Sequence, residues 1–322
     1  MTEPDFTPDF RNFSAVMRNL RPERLPLYEH IISPTIMERI LDTPFAALHD
    51  GDARDLAAFF EQYCRFFHEK TYDTVSYEVC ISEILPGPNA LSGGVGTIQS
   101  RADFDAYPWA ELPARFWSVA TPRLDALVAA LPPGMKAVGG VGNGVFELAE
   151  ALVGMEHLPY MQVDDPDLYG QLFVAIGHLM TTIWSSFMQR YGNSFVACRF
   201  GDDLGFKSSL LTNPDTVRSH ILPQYRRVID IVHAGGGRFL WHCCGCIFEI
   251  MEDVIALGID AKHSNEDAIA PYDRWIAAIG LEIVENGIKG GNGMASFSAI
   301  RGGAVDLVDL RAGKLHGPAG LI

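Results

Sequence analysis

The stretch GRFLWHCCGCIFEIMEDVIALGIDAKHS (237–264) decides how this chain is read. GRFLWHCCG (237–245) has the composition of a buried strand, CIFEIMEDVIAL (246–257) spaces its apolar residues as a helix does, and GIDAKHS (258–264) is a second strand. Two strands joined through a helix run parallel, because a tight hairpin cannot connect them. The same cadence continues in both directions. Towards the N-terminus lie strand candidates LPLYEH (25–30), TVSYEV (74–79), KAVGGVGNG (136–144) and SFVACRFGDD (194–203). Between them the pattern predicts helices over 54–70, 111–132, 164–190 and 213–233, with a break at Pro122 and a kink at Pro223. Asp164-Asp165-Pro166 and Asn213-Pro214-Asp215 are helix openings. Towards the C-terminus follow a helix over 270–280 and a strand EIVENGI (282–288).

Seven or eight such units predict an α/β fold, a (β/α)8 TIM barrel, in one domain spanning 1–322. Residues 281–322 form an atypical Gly-rich tail, with VDLVDL (305–310) as a last-strand candidate, so the C-terminal portion of the barrel reads as incomplete. An open sheet edge left there would be covered by a second copy, giving a homodimer.

Composition narrows the function. The 322 residues are 48% hydrophobic and 20% charged, ordinary for a globular chain and too apolar for disorder. A formal charge of −15 repels phosphate backbones, so nucleic-acid binding is not expected. The most apolar long stretch, 171–188, contains Gln171, His178 and several hydroxyls and reads as a buried helix, not a membrane span of ~20 apolar residues. The acidic N-terminus lacks the pattern of a signal peptide, which places the protein in the cytoplasm, where thiols stay reduced. Three of the six cysteines fall between 243 and 246, a density that suggests a metal or a reactive thiol.

In an α/β barrel the chemistry gathers at the C-terminal ends of the strands. Glu29, Glu78, Asn143, Asp202, His242, His263 and Asn286 all stand near predicted strand exits. The sharpest signal is His242-x-Cys244: two residues apart on a strand, both side chains project to one face and could share a zinc ion. Gly245 lets the chain turn out of the strand, and Cys246 is expected to begin the next helix. A catalytic zinc takes three protein ligands, and Glu78, Cys80, His263 and Glu266 are candidates for the third. Asp202 and Asp203, closing the fourth strand, are candidate catalytic acids or substrate anchors; helix capping explains such acids equally well. His263 is a candidate proton shuttle, and Glu29, Glu78, Asn143 and Glu266 are candidate substrate-binding groups. GGVGNG (139–144) does not fit the dinucleotide-binding glycine pattern, and neither G-x-S-x-G nor a P-loop occurs.

FLWHCCGCIFEIMEDVIALGIDAKHSNE resembles the strand–HxCG–helix–strand segment of the uroporphyrinogen decarboxylase superfamily. FGDDLGFKSSLLTNPDTVRSHILPQYRRVIDIVHAGG and the opening NFSAVMRNLRPERLPLYEH are similar to neighbouring segments of that superfamily, so the likeness runs from about residue 12 to 280. The resemblance implies a (β/α)8 barrel and two alternative activities. One branch decarboxylates a porphyrinogen in haem biosynthesis, without metal, and grips it with an arginine-rich loop; here Arg18, Arg21 and Arg24 are the nearby arginines, and the loop expected after the first strand is absent. The other branch consists of cobalamin-dependent methyltransferases that hold zinc through His-x-Cys and a later cysteine. His242 and Cys244 match the first two positions, but no cysteine follows Cys246. The leading expectation is a zinc-dependent methyltransferase that moves a methyl group between a corrinoid carried by a partner protein and a small-molecule thiol. The alternatives are the decarboxylase and a non-catalytic barrel that binds a ligand or partner.

Overall fold

The structure, a computed structural model, describes residues 6–278 except 92 and 267, together with 282–284, 287–289 and 295–297. Its framework is a parallel sheet built in chain order from β1 (Thr74–Cys80), β2 (Lys136–Gly142), β3 (Phe195–Gly201), β4 (Phe239–His242) and β5 (Ala261–His263). A short antiparallel pair, β6 (Glu282–Val284) and β7 (Gly287–Lys289), follows, and β8 (Ala295–Phe297) pairs parallel with β5. Asn286 and the last-strand candidate over 305–310 lie outside the described residues.

The main helices are α1 (Arg11–Val16), α2 (Ala53–Glu69), α3 (Leu112–Ala130), α4 (Val145–Val153), α5 (Leu158–Asp164), α6 (Pro166–Tyr191), α7 (Leu222–Ala234), α8 (Met251–Ala256) and α9 (Tyr272–Ala278). α2 opens on a reciprocal cap between Asp52 and Asp55 and buries Leu56, Phe59, Phe60, Tyr63 and Phe67. Asp165 caps α6 through the Leu168 amide. One face of the sheet, with Val75, Val79, Val141, Phe200 and Trp241, joins the large apolar cluster formed with these helices. The other face, with Val138, Ala197, Leu240 and Ala261, is filled by Phe13, Val16 and Met17 at the N-terminus and by Tyr28. The N-terminal segment is therefore part of the core.

Several boundaries differ from the sequence reading. Residues 25–30, expected as the first strand, enter no ladder beyond a single bridge position at Tyr28. Pro26 has no N–H to donate. The carbonyls that a ladder would use accept side chains instead, Glu29 from Ser76 Oγ at 2.5 Å and His30 from Arg199 Nη1 at 3.1 Å. α3 runs unbroken through Pro122. Before Pro223 the helix widens into a π turn, Val217–Ile221, which relieves the clash of the ring with the carbonyl four residues back. α4 and α5 were not anticipated between 144 and 164. Cys246 does not start a helix: its amide bonds Phe206 O at 2.7 Å, and helical structure begins at Phe248.

Candidate metal centre

Strand register assembles the site. β3 and β4 pair Gly201 with His242, and β4 and β5 pair His242 with His263. The residues just past these ends, Asp202-Asp203 and Cys243-Cys244, thus lie side by side. Asp203 Oδ1 accepts the Cys244 amide at 2.7 Å and stands 3.9 Å from His242 Nε2. Cys244 Sγ is 3.4 Å from the same Nε2. Ligand atoms of Asp203, His242 and Cys244 all lie within 4.8 Å of one another. A tetrahedron with zinc bond lengths has edges of roughly 3.3–3.7 Å; the nitrogen–sulfur edge lies in that range and the 3.9 Å nitrogen–oxygen edge exceeds it, so these three donors could hold an ion once the Asp203 carboxylate closes in on His242. Asp203, expected as a catalytic acid or substrate anchor, is thus the third residue whose ligand atom comes near those of the two expected ligands, His242 and Cys244. Its side chain is 44% exposed, which keeps the centre open to small molecules.

The candidates named for the third position are engaged elsewhere. Glu78 Oε2 receives Arg199 Nη2 at 2.7 Å, and Cys80 Sγ lies 3.9 Å from Glu78 Oε1. Glu266 Oε1 accepts the Gly245 amide at 2.6 Å. His263 Nδ1 lies 2.6 Å from His242 Nδ1. His30, His242 and His263 also come together, but as a pile of near-parallel rings: 17° between His30 and His242, 11° between His30 and His263, and 28° between His242 and His263. Imidazole lone pairs lie in the ring plane: His30 lies face to face with His242, centroids 3.9 Å apart, so those two do not converge on one ion, whereas His242 and His263 meet edge to edge, Nδ1 to Nδ1 at 2.6 Å with centroids 4.9 Å apart. These three rings form a wall behind the metal centre.

Asp202 is fully buried and faces a helix end. Its oxygens accept the amides of Phe146 (2.9 Å) and Glu147 (2.8 Å) at the start of α4, and the Tyr225 hydroxyl at 2.5 Å. A side chain on Gly144 would overlap it. Asn143, held at φ 67, donates Nδ2 to Glu147 Oε2 at 3.1 Å and accepts the Ser82 amide at 2.9 Å. Glu29 is half-buried, and burial lifts its carboxyl to about 7.

Glu147 was missed by sequence reasoning because α4 was not foreseen. A Cβ on Gly201 would stand 3.8 Å from Glu147 Oε1 and 3.4 Å from His242 Cδ2, so this glycine leaves open the space between the carboxyl and the imidazole. Burial, with Asp202 adding repulsion, raises Glu147 to about 8. Burial also lowers His242 to about 4 and lifts the Cys244 thiol to about 11. His242 is therefore neutral with its lone pair available, whereas Cys244 must lose a proton as a cation binds.

These shifts predict a stability profile for the metal-free protein. Glu29, Glu147 and Glu150 have raised folded-state values of about 7, 8 and 7, so between their ordinary range and these values the folded state holds more protons than the unfolded chain. Stability contributed this way is present at low pH and is lost as pH rises. The lowered histidines act oppositely, but only below their ordinary 6.5. Thermal midpoints should thus fall from pH 6.5 to 8, and Glu147→Gln should flatten that fall; an unchanged slope in the variant refutes the assignment.

No family model matches the chain, and no characterised protein matches it in sequence. A solved methyltransferase from Methanosarcina mazei superposes with a TM-score of 0.66 at 15% identity, covering 84% of this chain and 79% of the other. The likeness is one of fold. The xylanase XynB from Paenibacillus barcinonensis gives a TM-score of 0.35 at 12% identity over 69% of this chain and 62% of its own. An intracellular xylanase from Thermoanaerobacterium saccharolyticum gives 0.38 at 13% identity over 86% and 72%. Among the described residues no helix is long and apolar enough to cross a membrane.

Proposed function

We propose that this chain is a uroporphyrinogen decarboxylase-like (β/α)8 barrel acting as a zinc-dependent methyltransferase between a corrinoid, carried by a partner protein, and a small-molecule thiol. The observation that carries the reading is the Asp203–His242–Cys244 triangle at the strand exits, whose oxygen, nitrogen and sulfur donors lie within 4.8 Å of one another. The likeness of fold to a methyltransferase supports it. Bound zinc supplies Lewis acidity that favours the thiolate form of a thiol placed beside it. The chain's own groups do the rest. His242, the last residue of β4, and Cys244, two residues beyond its end, would supply nitrogen and sulfur, and Asp203 adds a negative oxygen at the open side. Asp202 holds the start of α4, so that Glu147, bonded by Asn143, faces His242 across the gap at Gly201, where Glu147 would take up or return the acceptor's proton.

The decarboxylase alternative calls for arginines at the strand exits. Arg24 instead pairs with Asp73, immediately before β1 and so at the opposite end of that strand.

The test follows methylcobalamin consumption with a thiol acceptor and detects the S-methyl product by mass. Turnover that needs both zinc and Cys244 is expected. Rates equal to the protein-free control overturn the proposal, turnover of uroporphyrinogen by zinc-free protein establishes the decarboxylase instead, and zinc binding without either turnover identifies a non-catalytic barrel.

A further inference from the structure

We propose that His263 is a positioning residue that accepts the Nδ1–H of His242 and thereby fixes the tautomer in which His242 Nε2 faces Cys244 and Asp203; this rests on the metal reading above. The two Nδ1 atoms are 2.6 Å apart, a hydrogen bond in which one ring must donate and the other accept. If Nε2 of His242 is to offer a lone pair to a cation, Nδ1 must carry the proton, so His263 Nδ1 is the acceptor. His263 then holds its own proton on Nε2, which is buried and has no hydrogen-bond partner among the described residues. An unsatisfied buried ring nitrogen costs about 1–3 kcal/mol.

The backbone holds this pair rigidly. His242 and His263 are register partners, and the Cys243 amide bonds His263 O. Lys262, fully buried, ties the two strand exits together: Nζ donates to the carbonyls of Cys243 (3.1 Å), His263 (3.2 Å) and Ser264 (2.8 Å) and to Asn265 Oδ1 (3.2 Å). Ser264, at φ 72, brings Oγ to 3.3 Å from Cys244 Sγ. The KHS segment therefore backs the HCC segment, with His263 beside His242 and Ser264 beside Cys244. Metal-bound histidines generally give their second N–H to such an acceptor, and losing it weakens binding 10–100-fold.

The experiment compares zinc affinity, by competition with a chromophoric chelator, in the wild type, His263→Asn and His263→Leu. Asn places an amide oxygen where Nδ1 stood; Leu fills the volume without an acceptor. Expected is near-wild-type affinity in His263→Asn and a 10–100-fold loss in His263→Leu. Thermal midpoints should run the other way, because Leu packs the buried position better than Asn. A role limited to packing would make affinity follow stability, with Asn the weaker binder, and that order overturns the proposal. Equal affinity in all three also overturns it while leaving the metal centre intact. A wild type that takes up no zinc overturns the metal reading itself and the role of His263 with it.

Discussion

His242→Ala should abolish tight zinc uptake, leaving well below one ion per chain after gel filtration, where the wild type holds one. The imidazole is central to the triangle, since both measured edges, 3.4 Å to Cys244 Sγ and 3.9 Å to Asp203 Oδ1, end on its Nε2. Removing it leaves one carboxylate and one thiol, too few donors for a stable site. Cys244→Ser should weaken affinity by several orders of magnitude, because thiolate is the softest and most tightly held donor of the set. Asp203→Asn keeps an oxygen and the contact to the Cys244 amide but loses the charge, so its loss should be smaller than that of either other variant. Metal analysis ranks the three. With cobalt in place of zinc, the thiolate charge-transfer band should vanish in Cys244→Ser and persist in Asp203→Asn. A wild type without metal, or His242→Ala with full metal, removes the donor assignment.

Much of the arrangement was legible in the chain. The alternation from 54 to 278 sets up a parallel sheet, because its strands are short apolar runs and its helices carry apolar stripes. The two-residue spacing of His242 and Cys244 already puts them on one face. Asp203 could be seen as an acid at a strand exit, but not as a close neighbour of His242 and Cys244. That depends on Gly201 pairing with His242, and register between strands 40 residues apart is set by packing across the whole sheet. Glu147 was hidden for a different reason. The sequence GVFELAEALV (144–153) is a short, mostly apolar run directly after a strand, with only Glu147 and Glu150 to mark its polar face, and so short a run does not separate from the strand by periodicity. Its N-terminus is capped by Asp202, 55 or more residues away, and not by a neighbour in sequence. The first strand was overread because LPLYEH alternates like a strand, while its polar atoms are committed to Ser76 and Arg199.

Glu78 leads to the largest expected effect on stability. The sequence offers it as a substrate-binding group, yet the structure sets it against Arg199, whose guanidinium is wholly buried inside the sheet. Arg199 Nη2 and Nε donate to Glu78 Oε2 at 2.7 and 3.2 Å, and Nη1 donates to the Tyr28 hydroxyl at 2.6 Å and to His30 O. Gly142 makes room for this carboxylate: a Cβ there would stand 3.1 Å from Glu78 Cδ and 2.6 Å from Cys80 Sγ. Glu78→Ala removes the carboxylate paired with a cation that cannot shed its proton, and should destabilise the fold by about 3–5 kcal/mol. Glu78→Gln keeps an acceptor and should lose less. Replacing both partners, Glu78→Gln with Arg199→Met, takes both charges out of the interior and should recover most of the stability. Denaturant midpoints of the three variants decide the matter. If Glu78→Ala unfolds like the wild type while only substrate affinity falls, Glu78 serves the ligand and Arg199 finds its counter-charge elsewhere.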